Sequence, residues 1–170
     1  NLFSATNMLE DCRIEETTCK NFFGAIYLLN KAHLQCVDGW KFEKLNNVTL
    51  MLVWAMMFIK TKLSIFFPKF ASLESVLGNM LETRLPGLKA RVEALLTSEF
   101  ASADTTRKIS ELAQKLLDLY ETDKKERKEE EKSNSSRSSK EEGEAGSQNP
   151  EKPKSGKDKD LQLNEVIEDT

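Results

Sequence analysis

The stretch from Val48 to Ile59 reads VTLMLVWAMMFI and decides the fold of this chain. As a helix it spans about 18 Å, which is shorter than the hydrocarbon core of a bilayer at about 30 Å. Extending the stretch to Phe67 would place Lys60 and Lys62 within a span, at a cost of about 2.5–3.5 kcal/mol each. Because the stretch is apolar on all sides, it predicts the buried central helix of a bundle and no transmembrane span.

Both ends of this central helix carry boundary signals. Asn46 or Asn47 is placed to cap its first turn, since asparagine side chains accept hydrogen bonds from the backbone N–H groups there. Pro68 disfavours helical backbone at the residue before it, so the helix is expected to end at about Phe66. Helical periodicity elsewhere predicts five more helices, and the chain is expected to be an all-α, compact bundle of about six helices. These five cover residues 2–12, 18–36, 72–85, 88–96 and from 102 or 104 to 120.

The second predicted helix is defined by a single apolar stripe. Between Thr18 and Cys36, apolar or weakly polar residues recur every three or four positions. This is the period of a helix with one buried face, so the stripe is expected to point into the core. It consists of Cys19, Phe22, Ile26, Leu29 and His33.

The chain changes composition after Thr122. It contains 25 Lys and Arg and 28 Asp and Glu, of which 11 and 14 lie in residues 123–170, so residues 1–122 are neutral and the tail carries the net charge of −3. A neutral body makes nucleic acid an unexpected partner, because nucleic-acid binding needs a basic face. All aromatic residues precede Thr122, and the tail is too polar to offset its chain entropy by burial. We therefore predict a helical bundle domain over residues 1–122 and a disordered charged tail over 123–170, whose removal leaves the melting temperature unchanged.

Two groups of tail residues are candidate regulatory or binding elements. Ser138 and Ser139 are each followed by Glu three residues on, a pattern that suits an acid-directed kinase. Near the end, four aliphatic residues with acidic neighbours are expected to bind a protein, as a strand added to a sheet edge or as one helical turn. These residues are Leu161, Leu163, Val166 and Ile167.

His33 and Cys36 suggest covalent chemistry, as a base one turn away from a thiol nucleophile. They lack the third orienting residue and the oxyanion donor that such chemistry requires, so both are interpreted as buried on one helix face. Cys12, Cys19 and Cys36 also lack the close spacing of zinc sites. An odd number of cysteines favours reduced, buried thiols in the nucleus or cytoplasm over a disulfide framework. The sequence therefore predicts no enzymatic activity, no cofactor and no metal.

The segment that joins the central helix to the fourth helix mixes lysines with phenylalanines. From Lys60 to Phe70 it reads KTKLSIFFPKF. Phe66, Phe67, Lys69 and Phe70 are its candidate partner-binding residues, as parts of a peptide groove. Alternatively, the phenylalanines close the end of the core, or the segment contacts a membrane surface or stacks on single-stranded nucleic acid.

These features favour a non-enzymatic protein–protein interaction module, an adaptor or scaffold whose helical docking domain carries a regulated acidic tail with a short linear motif. The expected partner is another protein or a peptide. One alternative is a secreted helical cytokine-like ligand, which glycosylation patterns at Asn47 and Asn134 and a chain that begins without Met would suit. The other is a peripheral membrane or nucleic-acid binder that acts through Lys60, Lys62 and Lys69.

Overall fold

The computed structural model describes residues 2–37, 39–64 and 66–138, with side chains as far as residue 133. Across these residues the chain forms six α-helices and no strand, which confirms the all-α bundle. The predicted sites at Ser139 and from Leu161 to Ile167 lie outside the described residues. The helices are α1 (Leu2–Asn21), α2 (Phe23–Val37), α3 (Asn47–Phe58), α4 (Ala71–Arg84), α5 (Leu88–Glu99) and α6 (Thr106–Ser138).

The central helix is α3, as its sequence predicts. Asn46 caps it by accepting a hydrogen bond from the backbone N–H of Thr49 at 2.9 Å. Residues 50–55 are buried on every side, and α1, α4 and α5 all pack against this helix. In the described part of the chain, no helix combines the length and the apolar character needed to span a bilayer.

The connector, which we define as residues 60–70, takes a different path from the predicted one. α3 ends at Phe58, and Ile59–Leu63 form a wider π-helical turn in which the backbone N–H of Ser64 donates to the carbonyl oxygen of Ile59 at 2.8 Å. Turns of this kind often occur at functional sites. A 3₁₀ turn at Pro68–Phe70 then leads into α4. The last part of the helix expected to reach Phe66 is therefore replaced by a π-helical turn, and a 3₁₀ turn follows it.

The boundary between the first two helices also differs from the prediction. α1 continues to Asn21, and the chain breaks at Phe22 before α2 begins. The predicted stripe from Cys19 to His33 is thus divided between two helices, and Phe22 is 68% exposed. The prediction was wrong here because Cys19 and Phe22 keep helical spacing across the break. The residues that α1 buries are Ala5, Leu9, Cys12 and Cys19.

α4 approaches α3 closely at Gly78. A Cβ at this position would lie 2.9 Å from Nε1 of Trp54, so only glycine leaves room for the indole ring. The same Nε1 donates a hydrogen bond to the buried carboxylate of Glu74 on α4 at 3.0 Å. The glycine and this hydrogen bond together fix the distance between the two helices.

α6 crosses the domain boundary that composition predicts. Asp123 is only 2% exposed, and its carboxylate accepts hydrogen bonds from Arg91 of α5 and, at 2.7 Å, from Arg127. Arg127 also donates to the carbonyl oxygen of Pro86, in the turn between α4 and α5, at 2.6 Å. Residues 1–132 accordingly form one compact unit.

We expect a chain that ends at Thr122 to have a lower melting temperature than the full-length chain. Composition alone predicts that the two melting temperatures are equal. The truncation removes the Asp123 carboxylate that joins α6 to α5. Charged hydrogen bonds of this kind contribute about 1.5–3 kcal/mol, which corresponds to roughly 5 °C or more in melting temperature. Differential scanning calorimetry measures the effect, and a chain ending at Ser138 should melt with the full-length chain.

Two substitutions in the full-length chain are the controls for this truncation. Asp123→Asn should reproduce most of the loss, whereas Asp118→Asn, at an exposed position of α6, should leave the melting temperature unchanged. Equal melting temperatures for the chains ending at Thr122 and Ser138 would show that Asp123 does not hold α6 in place.

Candidate interaction surface

Three ionisable side chains meet where α1, α2 and the connector converge. The side chain of Lys60 is 5% exposed, and its Nζ lies 2.5 Å from Oε2 of Glu15 on α1 and 2.9 Å from Nδ1 of His33 on α2. Oε1 of Glu15 lies 2.8 Å from Nε2 of His33. These contacts fit an imidazole that donates from Nε2 and accepts at Nδ1. We call Lys60, Glu15 and His33 the polar junction.

The polar junction retains its charge. Burial raises the pKa of the Glu15 carboxyl, but the hydrogen bonds from His33 and Lys60 outweigh burial and hold that pKa below its usual range. Glu15 therefore faces Lys60 as a carboxylate. Removing one partner of a largely buried pair is costly, because the other charge is left uncompensated. The junction thus ties α1 and α2 to the connector through charge and hydrogen bonds.

Phe67 and Phe70 lie in the core next to His33. Both are 1% exposed, and the Phe67 ring stacks on the imidazole with centroids 5.5 Å apart and planes 10° apart. The sequence predicts that both side chains contact a partner, or alternatively that they close the end of the core. Because both are buried, they occupy the second of these positions. Phe66 and Lys69 stay at the surface, half-buried and exposed respectively.

α2 presents large apolar side chains to solvent. Phe23, Tyr27 and Leu28 are 79%, 70% and 66% exposed. Of the residues of α2, all of which are described, only Asn30 is buried. Because folded proteins rarely leave several large apolar side chains open on one element, this exposure makes α2 a candidate interaction surface.

A depression of about 410 Å³ lies between α2 and the connector. Phe23 and Tyr27 stand one helical turn apart, so they share the face of α2 that borders it. We call the residues that line the depression, together with Leu28, the α2–connector surface. To the depression α2 contributes Phe23, Ile26, Tyr27 and Asn30, and the connector contributes Phe66, Pro68 and Lys69.

Asn30 attaches α2 to the connector from within this surface. Its Nδ2 donates to the carbonyl oxygens of Ile26 at 2.8 Å and Phe66 at 3.0 Å. Turning the amide over would place Oδ1 against two other acceptors, so these bonds fix its orientation. Oδ1 is buried and meets no donor among the described residues. An unmade hydrogen bond of this kind costs about 1–3 kcal/mol.

The segments that form this surface are basic. Residues 17–37 and the connector together contain five lysines and no Asp or Glu. Lys31 and Lys69 are exposed, and neither forms an ion pair with a described residue. Both are therefore available to an anionic partner. Of the remaining three lysines, Lys20 pairs with Glu16 of its own helix, Lys60 with Glu15 and Lys62 with Glu74.

His33 and Cys36 line one cavity of about 190 Å³ together with Glu15 and Lys60, whereas Cys12 and Cys19 do not line it. Cys12 and Cys19 are buried on α1, and burial raises the pKa of the Cys12 thiol to about 12. Cys36 is exposed, contrary to its predicted burial, because α2 turns few side chains into the core. The ring nitrogens of His33 contact Glu15 and Lys60. Among the described residues, no group of His, Cys, Asp and Glu is arranged to hold a metal ion.

Sequence reasoning missed the polar junction and the exposed aromatic residues of α2. Glu15 reads as a solvated carboxylate in the sequence, and its partner Lys60 lies 45 residues away. The sequence carries one signal for the polar junction, which is the position of Lys60 directly after an apolar stretch that is buried on all sides.

Comparison with known proteins adds no residue to this surface, since no family model, curated protein or solved structure matches the chain.

We expect Glu15→Gln to lower the free energy of unfolding at pH 7 by about 1–3 kcal/mol, because Lys60 would stay buried without its carboxylate. The folded-state pKa of Glu15 lies below its ordinary value of 4.5. The carboxylate therefore stabilises the fold above that pH, and this contribution is lost as the pH falls through the folded pKa. Urea unfolding at neutral pH and at about pH 3.5 measures both effects.

The Glu15→Gln variant should accordingly lose less stability on acidification than the unmodified chain does. Glu111→Gln, at an exposed position of α6, is the matched control and should change neither quantity. If the free energy of unfolding fell equally with pH in the unmodified chain and in Glu15→Gln, the result would contradict the ion pair.

Proposed function

We propose that this chain is a non-enzymatic protein-interaction module that binds a partner polypeptide at the α2–connector surface. The observation that carries the proposal is the exposure of Phe23, Tyr27 and Leu28 on one helix beside a depression. Burying a side chain of this size contributes about 1.5–3 kcal/mol. A partner that covers these three residues would therefore gain a large part of an ordinary binding free energy.

The way in which α2 is held supports this role. His33 and Asn30 attach the helix from its inner side, through the polar junction and through the carbonyl oxygen of Phe66. The aromatic residues of the outer side take no part in these contacts. A surface that is positioned before binding loses less conformational entropy when it binds, so the same contacts give higher affinity.

The proposal extends to the tail and to the cellular location. Phosphorylation of Ser138 or Ser139 would add about 1.5–2 negative charges per site and alter binding more than stability. The segment from Leu161 to Ile167 would serve as a short linear motif for a second protein. A nuclear or cytoplasmic location is supported by the free state of all three cysteines, since thiols stay reduced there.

An anionic membrane surface is the second candidate partner. Aromatic side chains beside Lys31 and Lys69 are the composition that interfacial binding uses. A polypeptide accounts better for the depression, because a flat bilayer surface does not fill a concave site.

Replacing Tyr27 and Leu28 together by Ser should abolish capture of the partner while leaving helical circular dichroism unchanged, since both side chains are exposed. The immobilised chain would be exposed to cell extract and the retained proteins identified by mass spectrometry. Loss of two anchor residues is expected to weaken binding by about tenfold or more.

Val76→Ser is the matched control, because Val76 is an exposed apolar residue on α4, outside the α2–connector surface. Its variant should retain the same proteins as the unmodified chain. Equal retention by the Tyr27 and Leu28 variant would contradict the proposed site.

A further inference from the structure

The α2–connector surface has room for an inserted side chain. Its depression of about 410 Å³ falls within the range of roughly 300–1,000 Å³ that is usual for binding pockets. Phe23 and Tyr27 line it on the α2 side, and Phe66 and Pro68 on the connector side. Apolar walls on both sides favour an aromatic or aliphatic group.

The charge of the site favours an acidic partner. Lys69 lines the depression, Lys31 follows Asn30 on α2, and neither has an ion-pair partner among the described residues. Residues 17–37 and the connector carry no Asp or Glu that would repel a carboxylate. Complementary charges of this kind orient a partner and accelerate its association.

We infer that the α2–connector surface takes an acidic peptide segment that inserts one bulky apolar side chain between α2 and the connector and pairs its carboxylates with Lys31 and Lys69. The inference rests on the proposed function for the existence of a polypeptide partner and adds the chemistry of that partner. The apolar anchor contributes most of the affinity, and the carboxylates contribute orientation and selectivity.

A displayed library of random 12-residue peptides, selected on the full-length chain, tests the inference. Peptides that also bind the Tyr27→Ser, Leu28→Ser variant are removed, so that only those using the α2–connector surface remain. The expected consensus is one Trp, Phe, Tyr or Leu with at least two Asp or Glu within a few residues of it.

The synthesised consensus peptide is then titrated by fluorescence anisotropy. Lys31→Glu combined with Lys69→Glu should weaken its binding about tenfold or more at about 50 mM salt, and much less at about 500 mM, where exposed charges are screened. Lys125→Glu combined with Lys128→Glu, an equal charge change at exposed positions of α6, should leave the affinity unchanged.

Each other outcome overturns the inference in a distinguishable way. Selected peptides that depend on Tyr27 and Leu28 but lack acidic residues would refute the acidic partner and leave the proposed function standing. Failure to select any such peptide would refute both. If the chain then bound vesicles of phosphatidylserine and phosphatidylcholine, and Lys31→Glu with Lys69→Glu abolished that binding, the surface would belong to a membrane.

Discussion

Lys60 follows the apolar stretch of the central helix and, through the π-helical turn that ends it, meets Glu15 on α1. A lysine with a side chain only 5% exposed needs a carboxylate, because an unpaired charge at that depth would be strongly destabilising. Glu15 in turn accepts from His33, so the same carboxylate fixes the inner side of α2. The positions of α1, α2 and the connector therefore depend on one ion pair between segments far apart in the chain.

This arrangement explains how α2 can expose so much apolar surface and still have a defined place. Most helices are held by burying an apolar stripe, and α2 packs Ile26, Leu29 and Val37 against the core, but these three are only half-buried and its one buried residue is Asn30. Polar contacts from Asn30 and His33 add to this packing on the inner side, and the large side chains of the outer side stay exposed. The exposed apolar side chains of α2 are the surface at which we propose that a partner binds.

The sequence predicts those parts of the fold that depend on residues close together in the chain. Eleven apolar residues among the twelve from Val48 to Ile59 place α3 at the centre, and the side chain of Asn46 caps its first turn. The parts it does not predict depend on contacts between distant residues. The break at Phe22 leaves the spacing of apolar residues undisturbed, so periodicity joins two helices into one. Composition likewise cannot distinguish Phe66 at the surface from Phe67 and Phe70 in the core, because their surroundings come from α2 and α3.

Native-state hydrogen exchange of a His33→Phe variant tests most directly whether α2 is held by polar contacts. Phenylalanine keeps a ring that can stack on Phe67 and adds apolar surface, but it cannot bond to Glu15 or Lys60. The account predicts that amide protection across α2 falls by about tenfold or more while that of α3 is unchanged, since local opening follows the lost contacts. Protection of α2 that stayed the same or increased would mean that apolar packing holds the helix, and would contradict the account.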